Sequence, residues 1–388
     1  MGLVMFALIE ATQENDLNSI KSILKNRTID IDQYDNFGRT ALIYATIYQY
    51  TEIVYLLLKN GANPQLEDQD NKKTSLHYSS ENGNLEITAL LIKFQSTLSP
   101  QDDMKQTPLH SALNMGHLDI AKLLIKYGAD INNRSKNGVT PLHYCAQFGF
   151  NELIKILLHK GAKIDAKDNK LQTPFHYACI HGQIVSAYVL MHEGSHITVC
   201  NLEEYNALQL AILNKQEKIV DFLLNLNYPV NNIAINNNNT LHCAVRTGNL
   251  NIVKSVVNNG SDLNALSFYG TALHESIENK DILKFLLDSG ANPNIKGKHG
   301  YTPMHTLIRW VNDNNEESLF MLNSLINYGG DINIQSDNGC TPLHFALLFN
   351  KFNFANELLK RPNINLNIIN HNGETISSLI EETNFLIK

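Results

Sequence analysis

Residues 138–165, GVTPLHYCAQFGFNELIKILLHKGAKID, decide the fold. Thr140-Pro141-Leu142-His143 leads into an apolar run, Gly149 interrupts it, a second apolar run ends at Leu157-Leu158, and Gly161-Ala162 follows. That order predicts a turn, a short helix, a second helix and a glycine stop. Pro141 suits the first helical turn because its missing N–H would have no partner there. Gly161 stands where a left-handed residue commonly ends a helix. One such unit is too small to bury its own apolar face, so it must be stacked on copies of itself.

The copies can be read at fixed spacing. The slot held by Thr140 recurs at Thr40, Thr74, Thr107, Thr173, Asn206, Asn239, Thr271, Thr302, Thr341 and Thr375. Most steps are 33 residues; the exceptions are 34 at the two ends, 32 to Thr271, 31 to Thr302 and 39 to Thr341. The four-residue signature returns at Thr107-Pro108-Leu109-His110, Thr173-Pro174-Phe175-His176, Thr302-Pro303-Met304-His305 and Thr341-Pro342-Leu343-His344. This pattern resembles the ankyrin repeat, a 33-residue β-turn plus two helices around Thr-Pro-Leu-His-x-Ala. The resemblance covers nearly the whole chain. It implies an all-α repeat solenoid of stacked helix-turn-helix units with β-turn fingers, in a single domain over residues 1–388. Within it, residues 1–36 read as an amino-terminal capping repeat, 37–369 as ten repeats and 370–388 as a carboxy-terminal capping half-repeat.

The first repeat is degenerate, running from Phe6 to Lys25, with Ala11 in the small slot and Ile20, Ile23 and Leu24 along a second helix. Its Glu14, Asn15, Asp16 and Lys21 give it a polar outer face, as a terminal repeat needs. Fingers carry turn dipeptides such as Phe37-Gly38, Asn137-Gly138, His299-Gly300, Asn338-Gly339 and Asn372-Gly373. Lys72, Lys105, Leu171 and Glu203 replace the finger glycine. The segment 95–103 has lost the Gly-Ala stop and gained Pro100, which predicts an irregular finger. The Asn-rich stretch 231–239 predicts a mobile one. Extra residues before Thr341 fall at 311–317, between the two helices of one unit, on the side away from the fingers.

Composition sets limits on function. The 388-residue chain is 43% hydrophobic and 18% charged, with a formal net charge of -7. No Lys/Arg stripe forms, which argues against nucleic-acid binding. The apolar start at residues 2–9 is broken by Glu10 and lacks a basic flank, so it reads as neither a secretory signal nor a membrane span. Met1-Gly2 fails the myristoylation pattern because Phe6 stands where Ser or Thr is needed. Five cysteines, at 145, 179, 200, 243 and 340, are odd in number and form no Cys-x-x-Cys pair. Cys145 and Cys179 occupy small-residue packing slots. A reducing intracellular, cytoplasmic setting and a monomer follow as expectations.

Two patterns raise the question of chemistry. His192-Glu193-Gly194-Ser195-His196 matches the His-Glu-x-x-His zinc-protease string, which needs both imidazoles on one helical face. Gly194 falls in the helix-stop slot, so His196 is expected beyond the helix, and a metal-dependent enzyme stays a minor alternative. Eight of the fifteen histidines, at 77, 110, 143, 176, 242, 274, 305 and 344, share the fourth position of the repeat. They could form a metal array or a pH switch. The family resemblance instead implies rings that satisfy backbone groups of adjoining turns. No phosphate-binding, nucleophile-elbow or kinase signature is present. No enzyme activity, cofactor or metal is therefore expected.

The resemblance also implies where a partner protein binds: on the fingers and the exposed positions of the first helices, which form a concave face. Carried over by position, that face holds Ile47 and Tyr48, Asn114 and Met115, Gln147 and Phe148, Ile180 and His181, Arg309 and Trp310, and Leu348 and Phe349. Phe37, Tyr205, Phe268, Tyr269 and Tyr301 are added from the fingers. A repeated slot that need not be apolar, yet often is, signals interaction. One cluster is Tyr269, Tyr301, Arg309, Trp310 and Phe349, rich in the types enriched at interface hot spots; packing of Trp310 beneath the 311–317 insertion is the plain alternative. A second is Met115, Phe148 and Ile180, where helix packing is the alternative. The expected function is a protein–protein interaction scaffold or adaptor. A secreted effector of an intracellular pathogen or symbiont, acting in host cytoplasm, is the rival reading. It is suggested by an Asn-, Ile- and Lys-rich composition like that of protists, large DNA viruses and some intracellular bacteria. A purely structural spacer is the third.

Overall fold

The computed structural model describes residues 7–25 and 29–382. The expectations on Met1-Gly2, the apolar start and Phe6, and those on residues 383–388 of the closing half-repeat, lie outside the described residues. Two compact units are present, Met1–Ile197 and Thr198–Lys388. Both are built from ankyrin-type helix pairs, and the fold is a helical repeat solenoid.

The pair at the centre of the first unit shows how the sequence makes it. Thr140, in extended conformation (φ -104°, ψ 165°), caps the helix Pro141–Phe148, with proline at the first position. Gly149 (φ 79°) ends that helix in the left-handed region. The helix Asn151–His159 then buries Leu153, Ile154 and Leu157. Gly161 N–H donates to the Leu158 carbonyl and Ala162 N–H to the Leu157 carbonyl, each at 2.9 Å, closing the last turn. A third left-handed residue, Gly138 (φ 80°), shapes the finger. Leu142, Cys145, Ala146, Leu153, Ile154 and Leu157 are all buried against neighbouring pairs. In the first pair, Ala7–Gln13 and Leu17–Ile23, Ala11 and Ile20 are buried, whereas Ile23 and Leu24 are half-buried.

Several details differ from the sequence reading. The irregular finger at 95–103 is regular: Gln95 takes the left-handed position itself (φ 63°), and Ser96 N–H reaches the Leu91 carbonyl at 3.0 Å. Gln95 and Ser96 thus fill the positions held by Gly161 and Ala162 two repeats later, and the Asp102 carboxylate accepts the N–H groups of Met104 (2.9 Å) and Gln106 (2.7 Å) in the same finger turn that Asp168 makes with Lys170 and Gln172. The left-handed finger residue near position 204 is Glu204 (φ 62°), not Glu203. The Asn-rich stretch forms a hydrogen-bonded finger, Ile233–Ala234 pairing antiparallel with Asn238–Asn239. Asn236 and Asn237 turn between them at φ 61° and 57°, a region asparagine tolerates. The extra residues before Thr341 are shared between two places. Residues 311–315 connect the helices, and Glu316 and Glu317 begin a lengthened 12-residue helix, Glu316–Asn327, capped by Asn315. Asp313 is buried in that connection and accepts the Asn353 N–H at 2.8 Å, which fastens it to the following pair.

The fourth-position histidines explain how successive pairs are joined. Thr140 N–H donates to His143 Nδ1 at 3.1 Å, and His143 Nε2 lies 3.1 Å from the Gln172 carbonyl of the next finger. A backbone N–H can only donate, so Nδ1 is unprotonated and Nε2–H donates to the carbonyl. The same arrangement links His77 to Gln106, His110 to Val139, His242 to Gly270, His274 to Tyr301, His305 to Cys340 and His344 to Glu374, at 2.9–3.3 Å. In the repeat that begins at Asn206, Gln209 takes the slot: its Oε1 accepts the Asn206 N–H (3.1 Å) and its Nε2 donates to the Asn232 carbonyl (3.1 Å). An imidazolium would turn a second proton on Nδ1 against an N–H that must donate. Burial is the main cause that holds His110, His143, His274 and His305 down to about 4. It lowers His77, His242 and His344 as well.

Two outcomes follow for stability. Leu142→Ala should cost about 2–5 kcal/mol in denaturant melts, with hydrogen exchange loosening neighbouring pairs first; even loosening along the chain would contradict the nearest-neighbour picture. The histidines set the acid limit. Unfolded, each takes its proton near the ordinary value of about 6.5; folded, four of them do so only near 4. Between those values the unfolded chain binds more protons, so stability is fully present above pH ~6.5 and falls as pH drops toward ~4. His143→Gln should keep both hydrogen bonds, as Gln209 does, and remove one titrating group. Its stability relative to wild type should therefore improve steadily in melts from pH 7 to pH 4.5; an unchanged difference would refute the mechanism.

Candidate protein-binding face

The first helices are seven or eight residues long, except Ala272–Glu275, which continues as a 3-10 turn over Ser276–Glu278, and their inner positions are spent on the stack. In Pro303–Trp310, for example, Pro303, Met304, His305, Leu307 and Ile308 are buried, which leaves the last two residues free to face outward. The last helical residues, the residue that follows and the finger tips make up a face of variable composition on an invariant frame.

Phe37, Tyr48, Met115, Phe148, Tyr269, Trp310 and Phe349 are exposed, and Ile180, Tyr205, Tyr301 and Arg309 are half-buried. In the first unit the rings form two ladders. Tyr44, Tyr48 and Tyr50 succeed one another at 6.0 and 5.6 Å, and the Arg39 guanidinium stands over Phe37 and Tyr44. Tyr144, Phe148 and Phe150 repeat the ladder at 6.3 and 5.7 Å. The ring partners of Phe148 are thus residues of its own repeat. Met115 and Ile180 are accessible on their own helices.

In the second unit the predicted residues converge. The Arg309 guanidinium lies 5.8 Å from the Tyr301 ring centre, 5.2 Å from Trp310 and 5.0 Å from Phe349. Trp310 is 70% exposed, which corrects the alternative that it packs beneath the insertion: the connection folds toward Asn353 instead. Phe345 backs the group, 5.1 Å from Tyr301 and 5.5 Å from Phe349. Across a cavity of about 550 Å³, whose lining includes Tyr269, Glu275, Tyr301, Arg309, Trp310 and Asn338, Lys298 stands 4.4 Å from the Phe268 ring and 5.8 Å from Tyr269. Sequence reasoning missed Lys298 and Phe345. Phe345 had a signal, since it holds the slot filled by Tyr44, Tyr78, Tyr144 and Tyr177, four residues past the threonine. Lys298 had none, because finger lysines are frequent.

The opposite face of this unit treats its charges differently. A groove of about 670 Å³ on the second helices is lined by Lys254, Lys280, Lys284, Phe285, Asp288, Glu317 and Phe320, among others. There Lys280 pairs with Glu317 at 2.6 Å and Lys284 with Asp288. Those charges satisfy one another.

The zinc-protease string is taken apart by the fold. His192 is the last residue of the helix Ile184–His192, its ring 4.4 Å from Tyr188. Gly194 (φ 94°) turns the chain, and His196 binds Asp165 through both its backbone N–H (3.1 Å) and Nδ1 (2.5 Å). The two imidazoles do not share a helical face. Among the described residues no group of three or more His, Cys, Asp or Glu is placed to hold a metal ion. Cys145, Cys179, Cys243 and Cys340 are buried and Cys200 is half-buried. Burial pushes the Cys243 thiol up to about 12 and raises Cys145 and Cys179 further, so these are packing groups and not nucleophiles. Among the described residues no helix is long and apolar enough to cross a membrane.

Comparison with known proteins agrees with this architecture. Models described as "Ankyrin repeats (3 copies)" match in overlapping stretches from residue 4 to residue 322, and one described as "Ankyrin repeats (many copies)" matches residues 314–359. The Fowlpox virus ankyrin repeat protein FPV034 is 30% identical over 122 residues, which is 31% of this chain and 28% of that protein. A second Fowlpox virus protein, FPV232, is 32% identical over 105 residues, 25% of this chain and 19% of its own. The Escherichia coli (strain K12) ankyrin repeat protein YahD is 34% identical over 90 residues, 22% of this chain and 44% of its own. Each similarity thus spans less than half of the relative's length. Proteins of this kind are generally non-catalytic and mediate protein–protein interaction. On the period, the capped helix pairs and the matched models together, the chain belongs to the ankyrin-repeat family.

Proposed function

We propose that this protein is a non-catalytic scaffold or adaptor whose finger and first-helix face binds another protein, with Tyr301, Arg309, Trp310 and Phe349 at the centre of the contact. The observation that supports it is a solvent-exposed tryptophan beside an arginine stacked on three aromatic rings. Large rigid side chains and a pre-ordered arginine are the groups that dominate interface energies. Tyr205 and Tyr269 in the same unit would extend the contact, since a standard interface takes roughly 800 Å² per partner, while Phe37 with Tyr48, and Phe148 with Met115 and Ile180, would form contacts of the first unit. On this reading the protein is an intracellular, cytoplasmic monomer that binds neither nucleic acid nor membrane. Its repeats work as the single domain expected over residues 1–388. A second reading, an effector that acts in a host cell, is favoured by the two Fowlpox virus relatives together with the Asn-, Ile- and Lys-rich composition.

Tyr301→Ala/Trp310→Ala, checked for folding, should lose a partner that the wild type captures from the lysate of its native host; truncating one such anchor typically costs about 2 kcal/mol or more. Equal capture by both would move the site to the Phe148 region. Capture of nothing by either protein would instead favour the spacer. The metal-dependent alternative at His192 predicts stoichiometric zinc in purified protein that His192→Ala removes. The split geometry of the two imidazoles leads us to expect equal metal analysis for both proteins.

A further inference from the structure

We infer that the face centred on Arg309 is built to take an acidic segment of its protein partner, an Asp/Glu-rich stretch with an aromatic or aliphatic neighbour. This deepens the binding function proposed above and rests on it. The cavity carries positive charge that the chain leaves unmatched. The chain as a whole is acidic, at -7, yet this cavity is edged by Lys298 and Arg309. Neither makes an ion pair among the described residues, and neither does Lys296 on the same finger.

Two carboxylates lie near, and the one that lines the cavity is already engaged. Glu275, in the cavity lining, receives the Arg246 guanidinium at 2.7 and 2.8 Å. Asp337 sits in the neighbouring finger against the Gly300 turn, outside the cavity lining; its backbone N–H binds the His299 carbonyl at 3.1 Å, and its carboxylate forms no ion pair with Lys298 or Arg309. In the second-helix groove of this unit, by contrast, Lys280 is neutralised by Glu317 and Lys284 by Asp288.

The manner in which the two cations are held points the same way. Three rings lie against the Arg309 guanidinium at 5.0–5.8 Å, and two against the Lys298 ammonium at 4.4–5.8 Å. Ring faces hold a cation in place while leaving its N–H donors unused. An arginine stacked in this way keeps its fork of donors free for a carboxylate and loses little rotamer freedom when one arrives. The exposed Trp310 and Tyr269 beside them supply apolar area for the neighbouring side chain.

The test uses the full chain against a phage-displayed library of random peptides, about twelve residues long. Enriched peptides are then titrated while the fluorescence of Trp310, the single tryptophan, is followed. Enrichment in Asp and Glu next to an aromatic or aliphatic residue is expected. Binding should shift Trp310 emission and weaken as salt rises. Arg309→Gln and Lys298→Gln, both surface changes checked by circular dichroism, should each weaken it about tenfold or more, a difference of about 1.4 kcal/mol.

Neutral or basic enriched peptides, unchanged affinity for both variants, or no enrichment at all would overturn the inference. So would binding that requires phosphoserine in place of Asp or Glu, or self-association of the chain that Arg309→Gln abolishes. Neutral peptides that still bind at Trp310 would leave the binding face standing and remove only its acidic partner. Acidic peptides that bind with no change in Trp310 emission, and equally well to Tyr301→Ala/Trp310→Ala, would remove the face itself.

Discussion

A side chain that reaches backward to a threonine or asparagine N–H and forward to a carbonyl of the next finger, repeated through most of the helix pairs, is the contact on which the structure depends. Its two halves act at different levels. The backward bond satisfies an orphan donor at the start of a helix, a local matter of capping. The forward bond ties that helix to the finger of its neighbour, which no local preference could do. Because both partners are backbone groups, the ring must be buried where they are, and burial keeps it neutral. Gln209 shows that the geometry, and not the imidazole as such, is what the stack requires. The histidine row thus needs no function of its own to explain it, although it gives the protein an acid limit.

Most of the fold was legible because the repeat is set by short-range rules. Thr-Pro before an apolar run, glycine after it and a 33-residue period leave little freedom. The misreadings occurred where a different residue performs the same backbone task. Gln95 adopts the left-handed conformation without being glycine, Ser96 makes the N–H bond that Ala162 makes elsewhere, and Glu204 takes the left-handed position next to Glu203. A reading keyed to residue identity sees a gap there; the backbone does not.

The candidate face was legible by position but not by grouping. The slots of Tyr301, Arg309, Trp310 and Phe349 follow from the period, and their convergence follows from stacking adjacent units. What the period could not give is how each side chain turns: that Arg309 lies over three rings, that Lys298 joins from the facing finger, and that Trp310 stays clear of the 311–317 segment. Those outcomes depend on rotamers and on Asp313 pulling the connection toward Asn353. Met115 and Ile180 show the converse, predicted slots whose side chains are accessible without entering a ring cluster.

The forward bond of the histidine ends on a carbonyl, a group that every residue possesses. The join between consecutive repeats therefore makes no demand on the identity of the residue it meets: Gln106, Val139, Gly270, Tyr301, Cys340 and Glu374 all serve. A repeat can then be duplicated, deleted or exchanged in the gene without a matching change in its neighbour. Lineages built this way are free to alter their length quickly while the outward-facing residues diverge under separate selection.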